Sequence, residues 1–136
     1  MKSAFADTSY WIALLSPSDS LHERAQSISR TLSSVQIFTS EMIFVELLND
    51  FSHRGPVLRA TAVATIESLR RNPLVTIVPQ SSILFQEALA LYASRGDKDW
   101  SLTDCSSILI MQRYGIADAI THDGHFRQAG FTALLR

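Results

Sequence analysis

The stretch Asp97-Lys-Asp-Trp-Ser-Leu-Thr-Asp-Cys-Ser-Ser-Ile-Leu-Ile-Met111 joins a charged loop to a strongly apolar helix. Its pattern places Asp104 in the first turn of that helix, where unpaired backbone N–H groups and the helix dipole favour a negative charge. Taken alone, Ser101-Leu-Thr-Asp104 fits a capping box, in which the acid only stabilises the start of the helix. A chemical role for Asp104 therefore depends on whether the rest of the chain brings further acids to the same place.

Length and composition predict a single domain spanning residues 1–136. The chain is 46% hydrophobic and 18% charged, which is typical of a globular protein with one core. Its apolar runs are too short to cross a bilayer, so we expect no membrane partner. One cysteine excludes an internal disulfide and a cysteine-based zinc cluster, and the N-terminus lacks a signal-peptide pattern. We expect a cytoplasmic protein.

Short strands alternate with amphipathic helices along the chain. We predict strands at Ser3–Ala6, Val35–Thr39, Leu74–Val78, Ala117–Thr121 and Phe131–Leu134. We predict helices at Tyr10–Leu15, from Asp19 or Ser20 through Leu32, at Glu41–Phe51, Val57–Arg71 and Ser81–Ser94, and after Ser101, with a helical turn at His122–Phe126. Strands separated by helices imply right-handed parallel crossovers, and hence a three-layer α/β/α sandwich.

Sheets of this kind gather functional groups just past the carboxyl ends of their strands. Asp7 follows the first predicted strand, and Asp123 follows the fourth. Asp104 opens the helix that leads into the fourth strand. Glu46 lies in an apolar helix, but it shares a stripe with polar residues at helical spacing, so it need not point into the core. We therefore predict one acidic cluster of Asp7, Glu46, Asp104 and Asp123.

Each acid also has a purely structural interpretation. Asp7 could cap the helix that follows it, Asp123-Gly124 is a common turn dipeptide, and Glu46 could pair with a buried arginine. Four such coincidences at one edge of one sheet are much rarer than any one of them. Two carboxylates about 4 Å apart repel by roughly 4 kcal/mol at an effective dielectric near 20. A divalent cation would relieve that repulsion, and oxygen ligands suit Mg²⁺ or Mn²⁺.

The order and spacing of these motifs resemble those of PIN-domain ribonucleases, and within that family the VapC-type toxins of bacterial toxin–antitoxin modules. The matching segments are Asp7-Thr8-Ser9, Glu46 in the third helix, Asp97–Cys105, and Thr121-His-Asp123-Gly-His-Phe126. Each segment is a weak signal, but together they cover nearly the whole chain. The resemblance implies a five-stranded parallel sheet, an acidic metal site, and cleavage of single-stranded RNA that leaves a 5′-phosphate and a 3′-hydroxyl.

Residue roles follow from the chemistry of such a site. Water on the metal would be activated for attack at the phosphate. We expect Asp7, Glu46, Asp104 and Asp123 to be the catalytic metal ligands. We expect Thr8, Ser9, Ser101 and Thr121 to supply hydrogen bonds to those acids. The resemblance further implies a homodimer and inhibition by a small antitoxin encoded beside the toxin.

Alternatives from other classes fit less well. A response-regulator domain needs paired acids after its first strand and a lysine after a late strand, where this chain has Asp7-Thr8 and Thr121-His122. A phosphatase with an Asp-x-Asp motif is excluded because Ser9 occupies the second position. A PIN fold that only binds RNA or protein, and a housekeeping RNA-processing nuclease, remain open.

The remaining conspicuous residues favour structural roles. Cys105 is predicted to be a core residue, and Trp100 to pack, although on a polar loop it could stack on a base. His122 and His125 show no metal-ligand spacing; because they flank Asp123 they could touch phosphate, but they are interpreted as surface turn residues. Helices Met42–Phe51 and Val57–Leu69 carry apolar residues on more than one face, so we expect some of them to stay exposed as an antitoxin groove or a homodimer seam.

Overall fold

A computed structural model describes residues 1–136, and its five strands form one fully parallel sheet in the order β3-β2-β1-β4-β5. The strands are β1 (Ser3–Ala6), β2 (Gln36–Ser40), β3 (Val75–Val78), β4 (Asp118–Ile120) and β5 (Thr132–Ala133). The helices are α1 (Thr8–Leu15), α2 (His22–Ser29), α3 (Glu41–Phe51), α4 (Pro56–Arg71), α5 (Ser82–Ser94), α6 (Leu102–Tyr114) and α7 (Gly124–Gln128). The predicted α/β fold with a five-stranded parallel sheet is confirmed.

The helices cover both faces of the sheet. Right-handed crossovers that step outward from β1 to β2 and β3 place α1–α4 on one face, and the return to β4 and β5 places α5–α7 on the other. The packing agrees, because α1 contacts α2, α3 and α4, whereas α6 contacts α5 and α7; α3 and α6 also contact each other. No helix of this chain has both the length and the apolar character needed to cross a membrane.

The core lies between the sheet and these helices. Phe5, Phe51 and Phe126 are fully buried in it, and Phe5 stacks on Phe126 with ring centroids 6.5 Å apart. The central strand β1 is almost entirely buried, which its uninterrupted run of Ala and Phe requires in a parallel sheet covered on both faces.

Strand order and register position the functional edge. The chain reverses its direction across the sheet at β1, whose neighbours are β2 and β4. Ala6 pairs with Ile120, so the next residues, Asp7 and Thr121, emerge side by side. Ligand sites in open parallel sheets form at this kind of switch point.

Several predicted helices begin one or two residues away from their observed bounds, such as α1, which begins at Thr8 rather than Tyr10, and the differences at α2 and α7 have identifiable causes. The second helix ends at Ser29 rather than Leu32, because the hydroxyl and N–H of Thr31 both donate to the Ile28 carbonyl and form a turn. Asp19 does not cap it; its carboxylate accepts from the N–H of Leu21 in the preceding turn. The last helix begins at Gly124 rather than His122, because Asp123 is its N-cap.

Candidate active site

Asp7 lies between β1 and α1 with its carboxylate turned toward β4. Asp7 is the N-cap of α1, but its side chain makes no capping hydrogen bond. Instead, Thr121 Oγ1 donates to Asp7 Oδ2 over 2.8 Å, and Ser9 Oγ donates to the same oxygen over 3.3 Å. Asp7 is thus the N-cap of α1 by position, but its carboxylate does not cap the helix and belongs to a polar network at the sheet edge.

The environment of Asp7 disfavours its ionised form. Burial raises the pKa of Asp7 to about 7 because the charged carboxylate loses its hydration, and the hydrogen bond from Thr121 only partly opposes this. The negative charges of Asp104 and Glu46 raise the pKa further. A cation beside these three acids would favour the ionised form of Asp7.

Glu46 lies half-buried on α3, and its partner is a hydroxyl rather than an arginine. Thr8 Oγ1 donates to Glu46 Oε1 over 2.6 Å. No ion pair of the protein involves Glu46. The buried-arginine alternative is therefore wrong, and the negative charge of Glu46 is left without a cationic partner.

Asp104 has both of the roles considered for it. The capping box is present, since Asp104 N donates to Ser101 Oγ and Ser101 N donates to Asp104 Oδ2, each over 3.0 Å. The side chain is nevertheless buried and faces the other acids, and its Oδ2 lies 2.8 Å from His125 Nδ1. Helix capping fixes the orientation of this carboxylate, so it supports a chemical role rather than replacing it.

Asp123 and His125 complete the group. The N–H of His125 donates to Asp123 Oδ1 over 2.9 Å, and His125 Nδ1 lies 3.1 Å from the same oxygen. One donor atom each from Asp104, Asp123 and His125 lies within 4.8 Å of the others, which is a spacing that could hold a metal ion. The interpretation of His125 as a surface turn residue was wrong. The available signal was Asp123-Gly-His125, which places the imidazole at the second helical position beside its own N-cap.

Thr121 links the two halves of the site. Its hydroxyl donates to Asp7 and accepts from the N–H of Asp123 over 3.0 Å. The compact group contains Asp104 and Asp123 with His125, while Asp7 and Glu46 stand beside it. Each predicted hydroxyl residue hydrogen-bonds to at least one of the acids, through the pairs Thr8–Glu46, Ser9–Asp7, Ser101–Asp104 and Thr121–Asp7. The catalytic and metal-binding roles of the four acids stay predictions.

The loop before α6 is held together by its own side chains. Trp100 is only 6% exposed; its Nε1 donates to Gln128 Oε1 over 3.1 Å, and the Arg95 guanidinium lies 4.8 Å from the ring centroid. Trp100 therefore packs, as predicted, and the base-stacking alternative is wrong. The hydrogen bonds and charge of Arg95 lower the pKa of Asp97 to about 2. Asp97 is thus paired outside the acidic cluster.

Comparison with known proteins agrees with this geometry. A sequence model of the PIN domain matches residues 4–132. The chain is 28% identical over 127 residues to the 23S rRNA-specific endonuclease VapC20 of Mycobacterium tuberculosis strain H37Rv, covering 93% of this chain and 94% of that protein. The protein of the same name from strain CDC 1551 matches equally.

Two solved structures share the fold. The crystal structure of Mycobacterium tuberculosis VapC20, described as a sarcin-ricin loop cleaving toxin, matches with a TM-score of 0.83 and 27% identity, covering 95% of this chain and 96% of that one. FitAcB from Neisseria gonorrhoeae matches with a TM-score of 0.65 and 17% identity, covering 96% and 95%, which supports the fold alone. The chain therefore belongs to the PIN-domain family of nucleases and is similar in sequence and fold to VapC20.

Proposed function

We propose that this protein is a divalent-metal-dependent endoribonuclease that cleaves single-stranded RNA, and that it acts as the toxin of a toxin–antitoxin pair. The observation that carries the proposal is the set of acids around Asp7. A carboxyl group whose pKa is raised mainly by burial, and further by the charges of two neighbouring acids, is costly to keep at a sheet edge without a compensating cation.

The donor set fits a hard divalent cation. Asp7, Glu46, Asp104 and Asp123 offer carboxylate oxygens, which suit Mg²⁺ or Mn²⁺, and the site has no cysteine ligand. A bound cation would stabilise negative charge on the scissile phosphate and make water easier to deprotonate near neutral pH. The role of the four acids is to hold that cation, and the role of Thr8, Ser9, Ser101 and Thr121 is to fix the rotamers of the acids through their hydrogen bonds.

The substrate class follows from the relatives. Because VapC20 of Mycobacterium tuberculosis is named for 23S rRNA and described as cleaving the sarcin-ricin loop, we propose an exposed loop of a structured RNA, with ribosomal RNA as the first substrate to test. Such a substrate would place the activity in the cytoplasm.

Cleavage by purified protein tests the enzyme. RNA should be cut in the presence of Mg²⁺ or Mn²⁺, and EDTA should stop the reaction. Asp7→Ala, Glu46→Ala and Asp104→Ala should each lose nearly all activity, because ligands of one site act as a unit. Asp99→Ala is the matched control, since Asp99 is an exposed acid on the loop before α6, outside the acidic cluster. If the wild-type protein binds RNA but never cuts it, the alternative of a binding module without catalysis is favoured.

An antitoxin is the partner that we propose for the apolar surface near the site. The expectation that α3 and α4 keep apolar residues exposed is confirmed for Val45, Leu48, Val57 and Val63. Val45 and Leu48 line a groove with Phe44, Ile66 and Ile77, which begins on the helix that carries Glu46. An antitoxin segment in this groove could extend a basic side chain toward the acids and compete with the cation.

Expression in cells tests the toxin role. Growth should arrest when the chain is expressed alone, and co-expression of the neighbouring open reading frame should relieve the arrest. Asp7→Ala should be harmless at the same level of soluble protein. Harmless expression of an active wild-type nuclease would instead favour a housekeeping RNA-processing role.

We also propose a homodimer, for which α5 offers a second apolar surface. Phe85, Leu89 and Tyr92 follow one another at helical spacing and are 43%, 48% and 52% exposed. This stripe lies on the face of the sheet opposite α3 and α4, so a dimer seam here would leave the antitoxin groove open. Light scattering of wild type and Leu89→Glu tests it: a dimer that becomes a monomer supports the seam, and an unchanged mass contradicts it.

A further inference from the structure

The imidazole of His125 approaches the carboxylates of two proposed metal-binding acids. Its Nδ1 lies 2.8 Å from Asp104 Oδ2 and 3.1 Å from Asp123 Oδ1. Asp104 Oδ2 can only accept, so Nδ1 is assigned as the protonated nitrogen that donates to it, and Asp123 Oδ1 lies within ion-pair distance of the same N–H. The side chain is 28% exposed.

The hydrogen bonds divide each carboxylate into one occupied and one free oxygen. Asp104 Oδ2 accepts from Ser101 N and is contacted by His125 Nδ1, and no protein group donates to Asp104 Oδ1. Asp123 Oδ1 accepts from His125 N and is contacted by the same Nδ1, and no protein group donates to Asp123 Oδ2. One imidazole thus holds two acids from different elements, one on α6 and one before α7, in a single orientation.

We propose that His125 is a positioning residue of the acidic site, which fixes one oxygen of Asp104 and one of Asp123 so that the other oxygen of each is available to a divalent cation. The inference rests on the proposed function, because it requires that these acids bind the cation. It predicts that His125 acts by donating a hydrogen bond and not as a ligand. Groups that orient metal ligands in this way commonly contribute 10- to 100-fold to metal affinity.

The test measures Mn²⁺ binding directly, from the electron paramagnetic resonance signal of free Mn²⁺, without reference to RNA cleavage. His125→Ala should raise the Kd for Mn²⁺ about 10- to 100-fold. His125→Asn should recover most of the affinity, because the asparagine amide N–H can occupy the place of Nδ1–H. His122→Ala is the matched control: it lies in the same turn, but its Nδ1 faces the Leu135 carbonyl rather than an acid, so its Kd should stay within about twofold of wild type.

The outcomes separate this inference from the proposed function. If the wild type binds Mn²⁺ and His125→Ala binds it with the same Kd, the positioning role alone is overturned. If His125→Asn binds Mn²⁺ as weakly as His125→Ala does, the positioning role is also overturned, since that result would mean that His125 binds the ion through its ring nitrogen. Absence of Mn²⁺ binding by the wild type overturns both proposals. Circular dichroism verifies that each variant folds. If His125→Ala does not fold, His125→Gln replaces it; this variant displaces the donor by one bond and should show the same rise in the Kd for Mn²⁺.

Discussion

Replacing Asp7 with asparagine should stabilise the metal-free protein at high pH and leave its stability nearly unchanged at low pH. The side chain is buried, and burial raises the pKa of Asp7 from 3.8 to about 7. Between these values the folded state binds one proton more than the unfolded state. The stability of the wild type therefore falls as pH rises through this window.

The size of the effect follows from the shift in pKa. A shift from 3.8 to about 7 corresponds to about 4 kcal/mol at 1.36 kcal/mol per unit. Asparagine keeps an oxygen that can accept from Thr121 and carries no charge, so it avoids this cost. The free energy of unfolding of Asp7→Asn minus that of the wild type should therefore be about 4 kcal/mol larger at pH 8 than at pH 4.

Urea unfolding in EDTA, followed by circular dichroism at several pH values, measures this difference. Other titrating groups are common to both proteins and cancel in the comparison. Asp99→Asn is the control, because it makes the same substitution at an exposed acid outside the acidic cluster. A difference between Asp7→Asn and wild type that stays constant within about 1 kcal/mol from pH 4 to pH 8 would refute the reasoning.

Three further predictions follow from the same contacts. Mg²⁺ or Mn²⁺ should raise the melting temperature of the wild type by mass action, and Asp7→Asn combined with Asp104→Asn should abolish most of that rise; an equal rise in the double variant would place the site elsewhere. Ser101→Ala removes the acceptor of the Asp104 N–H and should lower the free energy of unfolding by about 1 kcal/mol in urea titrations, with no loss refuting the cap. Thr121→Val removes the donor to Asp7 and should raise the pKa of Asp7 in the folded state, so the upper end of the pH range in which metal-free stability falls should move upward. A downward or absent shift of that upper end would contradict the assigned hydrogen bond.

Local features were predictable from neighbouring residues. The parallel α/β fold follows from the alternation of strands and helices, and the capping box from Ser101-Leu-Thr-Asp104. The alternation is visible in the residue spacing within each strand and helix, and the capping box joins residues only three positions apart, so both can be recognised from short segments of sequence. The ends of α2 and α7 were not predicted, because side-chain bonds from Thr31 and to Asp123 compete with the helix pattern.

What each acid contacts was decided only by the tertiary structure. Thr121 reaches Asp7 across 114 positions of sequence because the strand register aligns Ala6 with Ile120. His125 reaches Asp104 because α7 begins beside the first turn of α6, and no periodicity in either segment reports that distance.

The sequence by itself determined which residues could form a cation site and on which kind of fold they would lie. The burial of Asp7, its raised pKa and the place of His125 between two carboxylates came from the packing of distant segments. The physical reason is that hydration and charge interactions depend on separations of a few ångströms between residues far apart in the chain, which only strand register and helix packing set.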